Sequence, residues 1–182
     1  MTPPRHAAER PPGRFRALRQ KRWFRYGVDA AVLVAALLAI GAWQTRGHLD
    51  RGAAPELALP SLSGEAVAPA SLRGKPTLVA IWAPWCSVCK AASGNLGWVE
   101  RIAGDRARVV SVAAAFEDEG EVRAYVREQG LSHPVLLADD AAARALRVGA
   151  FPTYYFLDEE GRVKGSATGY TTTLGMLARL FL

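Results

Sequence analysis

Apolar and polar positions divide the chain into two unlike parts. Near the start, GVDAAVLVAALLAIGAW runs from Gly27 to Trp43 with Asp29 as its only charge. Its 17 residues meet the lower limit of a membrane-spanning helix, about 17 to 25. Trp23, Tyr26 and Trp43 stand where interfacial aromatics anchor such a helix. The uncharged core from Ala30 to Ala42 also fits a signal-peptide apolar region, with Ala39-Ile40-Gly41 as small residues for cleavage. Length and flanking aromatics favour an uncleaved anchor.

After a polar, glycine-bearing linker at 44–54, the periodicity becomes that of a folded domain, expected over 55–182. Its opening, PELALPSLSGEAVAPASLRGK, has two short apolar runs around Ser63-Gly64, which suits a hairpin or a pair of edge strands. TLVAIWA at 77–83 is continuously apolar between Pro76 and Pro84, the signature of a central strand buried on both faces. Cys89, Ala92, Leu96, Val99 and Ala103 then recur at spacings of three and four, predicting a helix from about Cys86. Gly94 and Gly97 weaken that helix and allow a bend. A second buried strand is predicted over 108–115, and an amphipathic helix over 119–129 using Val122, Tyr125 and Val126. A short extended run at 135–138 and a helix capped by Asp139 or Asp140 through Leu146 follow. Strands at 153–157 and 162–168 flank the turn Asp158-Glu159-Glu160-Gly161, and 171–182 reads as a closing helix. Alternating strands and helices followed by a hairpin and a helix imply an α/β sandwich with a mixed sheet.

Charge locates a boundary and removes one function class. Residues 1–27 hold eight Lys and Arg against Glu9 alone, which exceeds the net charge of +6 for the whole chain and leaves the rest close to neutral. A nucleic-acid-binding domain would carry its cations on the folded face that meets phosphate, so no nucleic-acid partner is expected. Basic residues before an apolar segment instead follow the positive-inside rule. The expected organisation is a cytoplasmic basic tail at 1–26, a transmembrane signal-anchor at 27–43, the linker, and a periplasmic domain.

The chain's only cysteines lie in WAPWCSVCK, directly after the 77–83 strand. As a structural staple, a Cys86–Cys89 bond closes almost no loop, so its entropic effect is small beside the ~3 kcal/mol of a 15-residue loop. A tetrahedral zinc site lacks ligands, since only His6, His48 and His133 could add to the pair. Cu(I) tolerates low coordination by soft thiolates, so a copper-binding module stays open on ligand chemistry. A redox pair needs a stabilised thiolate, and a strand entering a helix supplies one, because first-turn N–H groups favour negative charge at Cys86. Cys89 then sits one turn further in, placed to resolve.

WAPWCSVCK after a buried strand resembles the active site of the thioredoxin-like superfamily, in its membrane-anchored extracytoplasmic branch of TlpA, ResA and DsbE type. PELALPSLSGEAV, the His133-to-Leu137 stretch HPVLL, and Val148-Gly149-Ala150-Phe151-Pro152-Thr153 carry the rest of the likeness, over about 55–182. The resemblance implies a thioredoxin-like α/β/α sandwich and a cis bond at Phe151-Pro152, with the Phe151 backbone open to a substrate strand. It makes Cys86 and Cys89 the catalytic pair and Pro152, Phe151 and Trp85 the substrate-binding residues, with no metal or cofactor. Trp82 is expected in the core and Lys90 in solvent.

Two departures narrow the choice among relatives. Thioredoxins carry an acidic residue where this chain has Ala80, and the cytochrome c maturation branch often carries Glu where it has Ala92. Their replacement weakens a general-reductase or cytochrome-specific role. AIWAPWCSVC is similar to the copper-sensitivity suppressor D (ScsD) proteins, and Gly94 stands where thioredoxin has a helix-kinking proline. The function expected is a membrane-tethered periplasmic thiol-disulfide oxidoreductase, single-pass in the bacterial inner membrane, acting on protein thiols and disulfides with a membrane redox partner. Alternatives are a cytochrome c maturation reductase and, in another class, a copper chaperone or non-catalytic binding module.

Overall fold

A computed structural model describes residues 14–55, 57–64 and 72–182. They form two compact units, Met1–Ala42 and Trp43–Leu182. Helix α1, Arg14–Gln44, lies in the first unit up to Ala42, and is longer than the apolar run because the preceding Arg- and Lys-rich segment is made of good helix formers. Within it, Trp23–Gly41 has a mean hydropathy of 1.7 and none of its window is buried. By length and composition this helix can cross a membrane.

The second unit contains β1 (Thr77–Trp82), α2 (Ser87–Ala103), β2 (Arg108–Ala113), α3 (Glu119–Gln129), β3 (Val135–Leu137), α4 (Asp140–Ala145), β4 (Thr153–Leu157), β5 (Val163–Thr168) and α5 (Thr173–Phe181). The sheet order is β3-β2-β1-β4-β5. β1, β2 and β3 run parallel, whereas β4 and β5 are antiparallel to their neighbours, giving the expected mixed sheet. Every residue of β1 is buried because successive side chains enter two different cores. Leu78 and Ala80 pack with Leu96, Val99, Met176 and Leu180 under α2 and α5. Val79 and Ile81 pack with Leu57, Leu136, Leu146 and Tyr155 on the other face. The result is a thioredoxin-like α/β/α sandwich.

Local chemistry fixes the element ends. Asp118 accepts from the N–H groups of Gly120 and Glu121 to start α3, and Asp139 accepts from Ala142 N–H to start α4. Thr172 caps α5 through Gly175 N–H, which starts that helix two residues after the expected Thr171. At the β4–β5 turn, Asp158 Oδ1 accepts from the amides of Glu160 and Arg162, and Gly161 takes φ +78°. α2 runs unbroken through Gly94 and Gly97.

The N-terminal hairpin expectation is corrected over the described residues. Residues 57–64 form no strand. They contribute one antiparallel bridge, Ser61 to Leu136, with Leu62 N–H donating to Val135 O and Leu137 N–H to Pro60 O. Pro60 lacks an N–H and Ser63-Gly64 turns at once, so a longer ladder cannot form. The second apolar run, 65–71, lies outside the described residues. The polar 44–54 segment is fastened to the domain: His48 is buried edge-on against Tyr155, and Gly52 and Ala53 exchange backbone hydrogen bonds with Val163.

Candidate active site

β1 ends at Trp82, and Ala83-Pro84-Trp85 carries the chain over the sheet end into α2. Cys86 is the N-cap of α2, with extended φ and ψ, and its Sγ accepts from Cys89 N–H at 3.1 Å. The two cysteines form a disulfide with Cα atoms 5.2 Å apart. Cys86 is 6% exposed and Cys89 3% exposed, so the outer sulfur is only slightly the more accessible. Ser87 and Val88 between them face solvent. A helix N-terminus aimed at Cys86 favours the thiolate by dipole and orphan N–H groups together.

The tryptophans separate by role. Trp82 lies in the core, stacked on Tyr125 with centroids 4.0 Å apart and planes at 17°. Trp85 is 67% exposed. Its Nε1–H donates to Ala115 O at 2.8 Å, and its ring meets Phe151 edge-on at 5.7 Å. Lys90 pairs with Glu128 at 3.4 Å across exposed surface.

Phe151-Pro152 is a cis peptide bond. Pro152 is buried and shares a small cavity wall with Cys89, and its carbonyl accepts from Gly169 N–H. Among the described residues, the backbone N–H and C=O of Phe151 form no hydrogen bond. Cys86, Cys89, Trp85, Phe151 and Pro152 are thus gathered at one end of the sheet around a half-buried Phe151 ring. Beneath Cys89 lies a small cavity lined by Ala80, Trp82, Ser93, Tyr125 and Pro152, with no carboxylate in its wall. Ala80 and Ala92 are both buried, and Ser93 Oγ, near the second cysteine, lies 2.7 Å from Lys90 O and 2.6 Å from Gln129 Oε1. Burial and the Glu128 carboxylate push the Tyr125 phenol up to about 12, so it stays neutral in this wall.

Sequence reasoning missed two contributors. Tyr125 appeared only as a core position of α3, although its ring forms the floor under Trp82. Ala115 gave no signal within SVAAAF, yet it takes φ +51° and holds the Trp85 indole through its carbonyl.

The AhpC/TSA family profile matches residues 51–166, well over half of the chain. The chain belongs to the AhpC/TSA family. Within it, the chain is 28% identical over 172 residues to the thioredoxin-like protein YneN of Bacillus subtilis, covering 89% of this chain and 98% of that one. It is 26% identical to the thiol-disulfide oxidoreductase ResA of Geobacillus kaustophilus, covering 84% of this chain and 92% of that one. In fold it matches a DsbF homologue from Corynebacterium diphtheriae with a TM-score of 0.65 at 21% identity, over 72% of this chain and 88% of that chain. This AhpC/TSA member therefore carries a vicinal-cysteine redox centre in a thioredoxin-like fold of the ResA/DsbE type. Among the described residues, one N-terminal helix has the length and composition of a membrane anchor, ahead of the periplasmic catalytic domain.

Proposed function

We propose that this protein is a membrane-tethered thiol-disulfide oxidoreductase whose Cys86 exchanges with protein partners and whose Cys89 resolves the intermediate. The observation that carries the reading is the Cys86–Cys89 disulfide at the N-cap of α2, beside the exposed Trp85 and the half-buried Phe151. In the reducing direction, the Cys86 thiolate attacks one sulfur of a partner disulfide. The partner S–S bond breaks, its other sulfur leaves as a thiolate and takes a proton from solvent, and a Cys86–partner disulfide forms. Cys89, deprotonated, then attacks Cys86 Sγ. The Cys86–Cys89 bond forms, the second partner thiol is released, and two electrons have passed to the partner. A partner dithiol drives the same steps backwards.

Phe151, Pro152 and Trp85 form the platform for the partner segment in this reading. The free N–H and C=O of Phe151 supply a short edge on which an extended peptide pairs, and the Trp85 and Phe151 rings cover its side chains. A redox partner in the same membrane resets the pair after each turnover. The test uses full-length chain in detergent: Cys86→Ser abolishes disulfide exchange, while Cys89→Ser accumulates partner adducts that reductant releases. Turnover by Cys86→Ser, or Cu(I) uptake by the reduced pair without any exchange activity, would overturn the proposal.

A further inference from the structure

At the end of α2 remote from Cys86, an exposed surface combines large apolar side chains with cations. Trp98 is 53% exposed, Ile102 and Phe181 stand exposed beside it, and Leu182 is fully exposed. Arg101 lies over the Trp98 ring at 4.6 Å, and Arg106 over the Phe181 ring at 5.4 Å. Arg106 also donates to Ile102 O, joining the α2 and α5 parts into one patch. Next to it opens a cleft of about 890 Å³ along β5, lined by Arg46, Arg51, Lys164 and Arg179, with Leu182 at its rim. Asp50 and Asp105 are the acids here, and Asp50 is engaged by Arg147. The surface is therefore cationic on a domain whose total charge is close to zero, so the rest of the domain is net acidic.

Covalent connectivity identifies what meets it. His48 is buried in the domain, and the chain from Gly41, the end of the apolar window, to His48 reaches at most about 25 Å. The 45–51 segment that lines the cleft is thus held within that distance of the bilayer. Arginines stacked on aromatics at an interface, with apolar side chains between them, suit an anionic headgroup layer: the guanidiniums meet phosphate while the rings enter the headgroup boundary. We propose that this face, comprising the 45–51 segment, β5 and the distal parts of α2 and α5, rests on anionic phospholipid of the membrane that α1 crosses. From Ser87 to Trp98, α2 rises about 17 Å, which separates the disulfide end of the helix from this patch. The inference rests on the anchor reading and is independent of the exchange chemistry.

The test uses the full chain, labelled with fluorotryptophan, in nanodiscs of phosphatidylcholine alone or with phosphatidylglycerol, doped with a gadolinium-headgroup lipid. The Trp98 fluorine resonance, assigned through Trp98→Phe, broadens severalfold more than that of Trp85 in the anionic discs, and this excess disappears without phosphatidylglycerol. Each basic residue near such a surface contributes about fivefold in population, so Arg101→Glu with Arg179→Glu lowers the lipid-apposed fraction roughly tenfold or more. Arg144→Glu, on α4 across the sheet, leaves it unchanged. Equal broadening of Trp98 and Trp85, or equal losses from Arg144→Glu, overturns the surface while broadening at Trp23 and Trp43 still upholds the anchor. Loss of broadening at Trp23 and Trp43 overturns both.

Discussion

Trp85→Phe isolates a single interaction at the active-site rim. Phenylalanine retains a ring to meet Phe151 edge-on but deletes the Nε1–H that reaches Ala115 O at 2.8 Å. A typical intramolecular hydrogen bond contributes about 0.5–1.5 kcal/mol net. Trp85 is 67% exposed, so water can rehydrate the freed carbonyl and the low end, ~0.5 kcal/mol, applies. The local effect is larger, because Ala115 sits at φ +51°, a left-handed conformation that costs a non-glycine residue about 1–2 kcal/mol. With the indole clamp gone, the turn after β2 relaxes, and amide exchange at 115–117 accelerates by roughly threefold to tenfold. Ala115→Gly removes the left-handed penalty but adds about 0.5–1 kcal/mol of unfolded-chain entropy. Its stability therefore stays within about 1 kcal/mol of the parent, and Trp85→Phe made on that background accelerates exchange less than it does alone. Urea unfolding and hydrogen-exchange mass spectrometry of the four proteins complete the cycle. Unchanged exchange at 115–117 in Trp85→Phe would refute the idea that the indole holds this turn.

Two further outcomes follow from buried polar groups. Burial lowers the pKa of His48 and of His133 from 6.5, and at His133 the Glu100 carboxylate, 3.6 Å from Nδ1, opposes the shift without reversing it. Unfolded imidazoles near 6.5 bind more protons than these folded ones, so stability is full above about pH 6.5 and falls as pH drops through the window below it. The slope reaches at most ~1.4 kcal/mol per pH unit for His133, and urea midpoints for His133→Gln decline less between about pH 7 and pH 5. Tyr155→Phe leaves Leu146 O and Leu49 N–H without their hydroxyl partner; it costs about 1–2 kcal/mol and loosens the 44–54 segment, read as faster amide exchange at Leu49 in the full chain.

What the sequence disclosed depended on whether the physics was local. TLVAIW could be recognised as a doubly covered strand because burial on both faces removes polar alternation, and the CSVC turn followed from strand-to-helix succession. Hydrophobic spacing also gave the buried face of α2 correctly, from Cys89 to Ala103. Ala115 was invisible because its positive φ goes with a contact to Trp85, 30 residues away, and alanine carries no left-handed preference. The fastening of 44–54 was hidden for a related reason. A polar composition reads as a free linker, yet His48 finds Tyr155 and Thr168, and Gly52 and Ala53 find a strand edge, only once the sheet exists. The 57–64 segment misled in the other direction, since its apolar residues serve the core through Leu57 rather than a ladder.

The same distinction bears on the chemistry. Cys86 owes its electrostatic support to backbone, the first-turn amides of α2, because the nearest lysine is committed to Glu128. Cys89 is buried against Ala80, Ser93, Pro152 and two aromatic rings, with no carboxylate in the cavity wall to take its proton. A thiol in apolar surroundings holds its proton more tightly than in water, and the thiolate is the nucleophile. In the proposed exchange, resolution by Cys89 is therefore the step this site leaves least assisted, whereas attack by Cys86 has a helix terminus behind it.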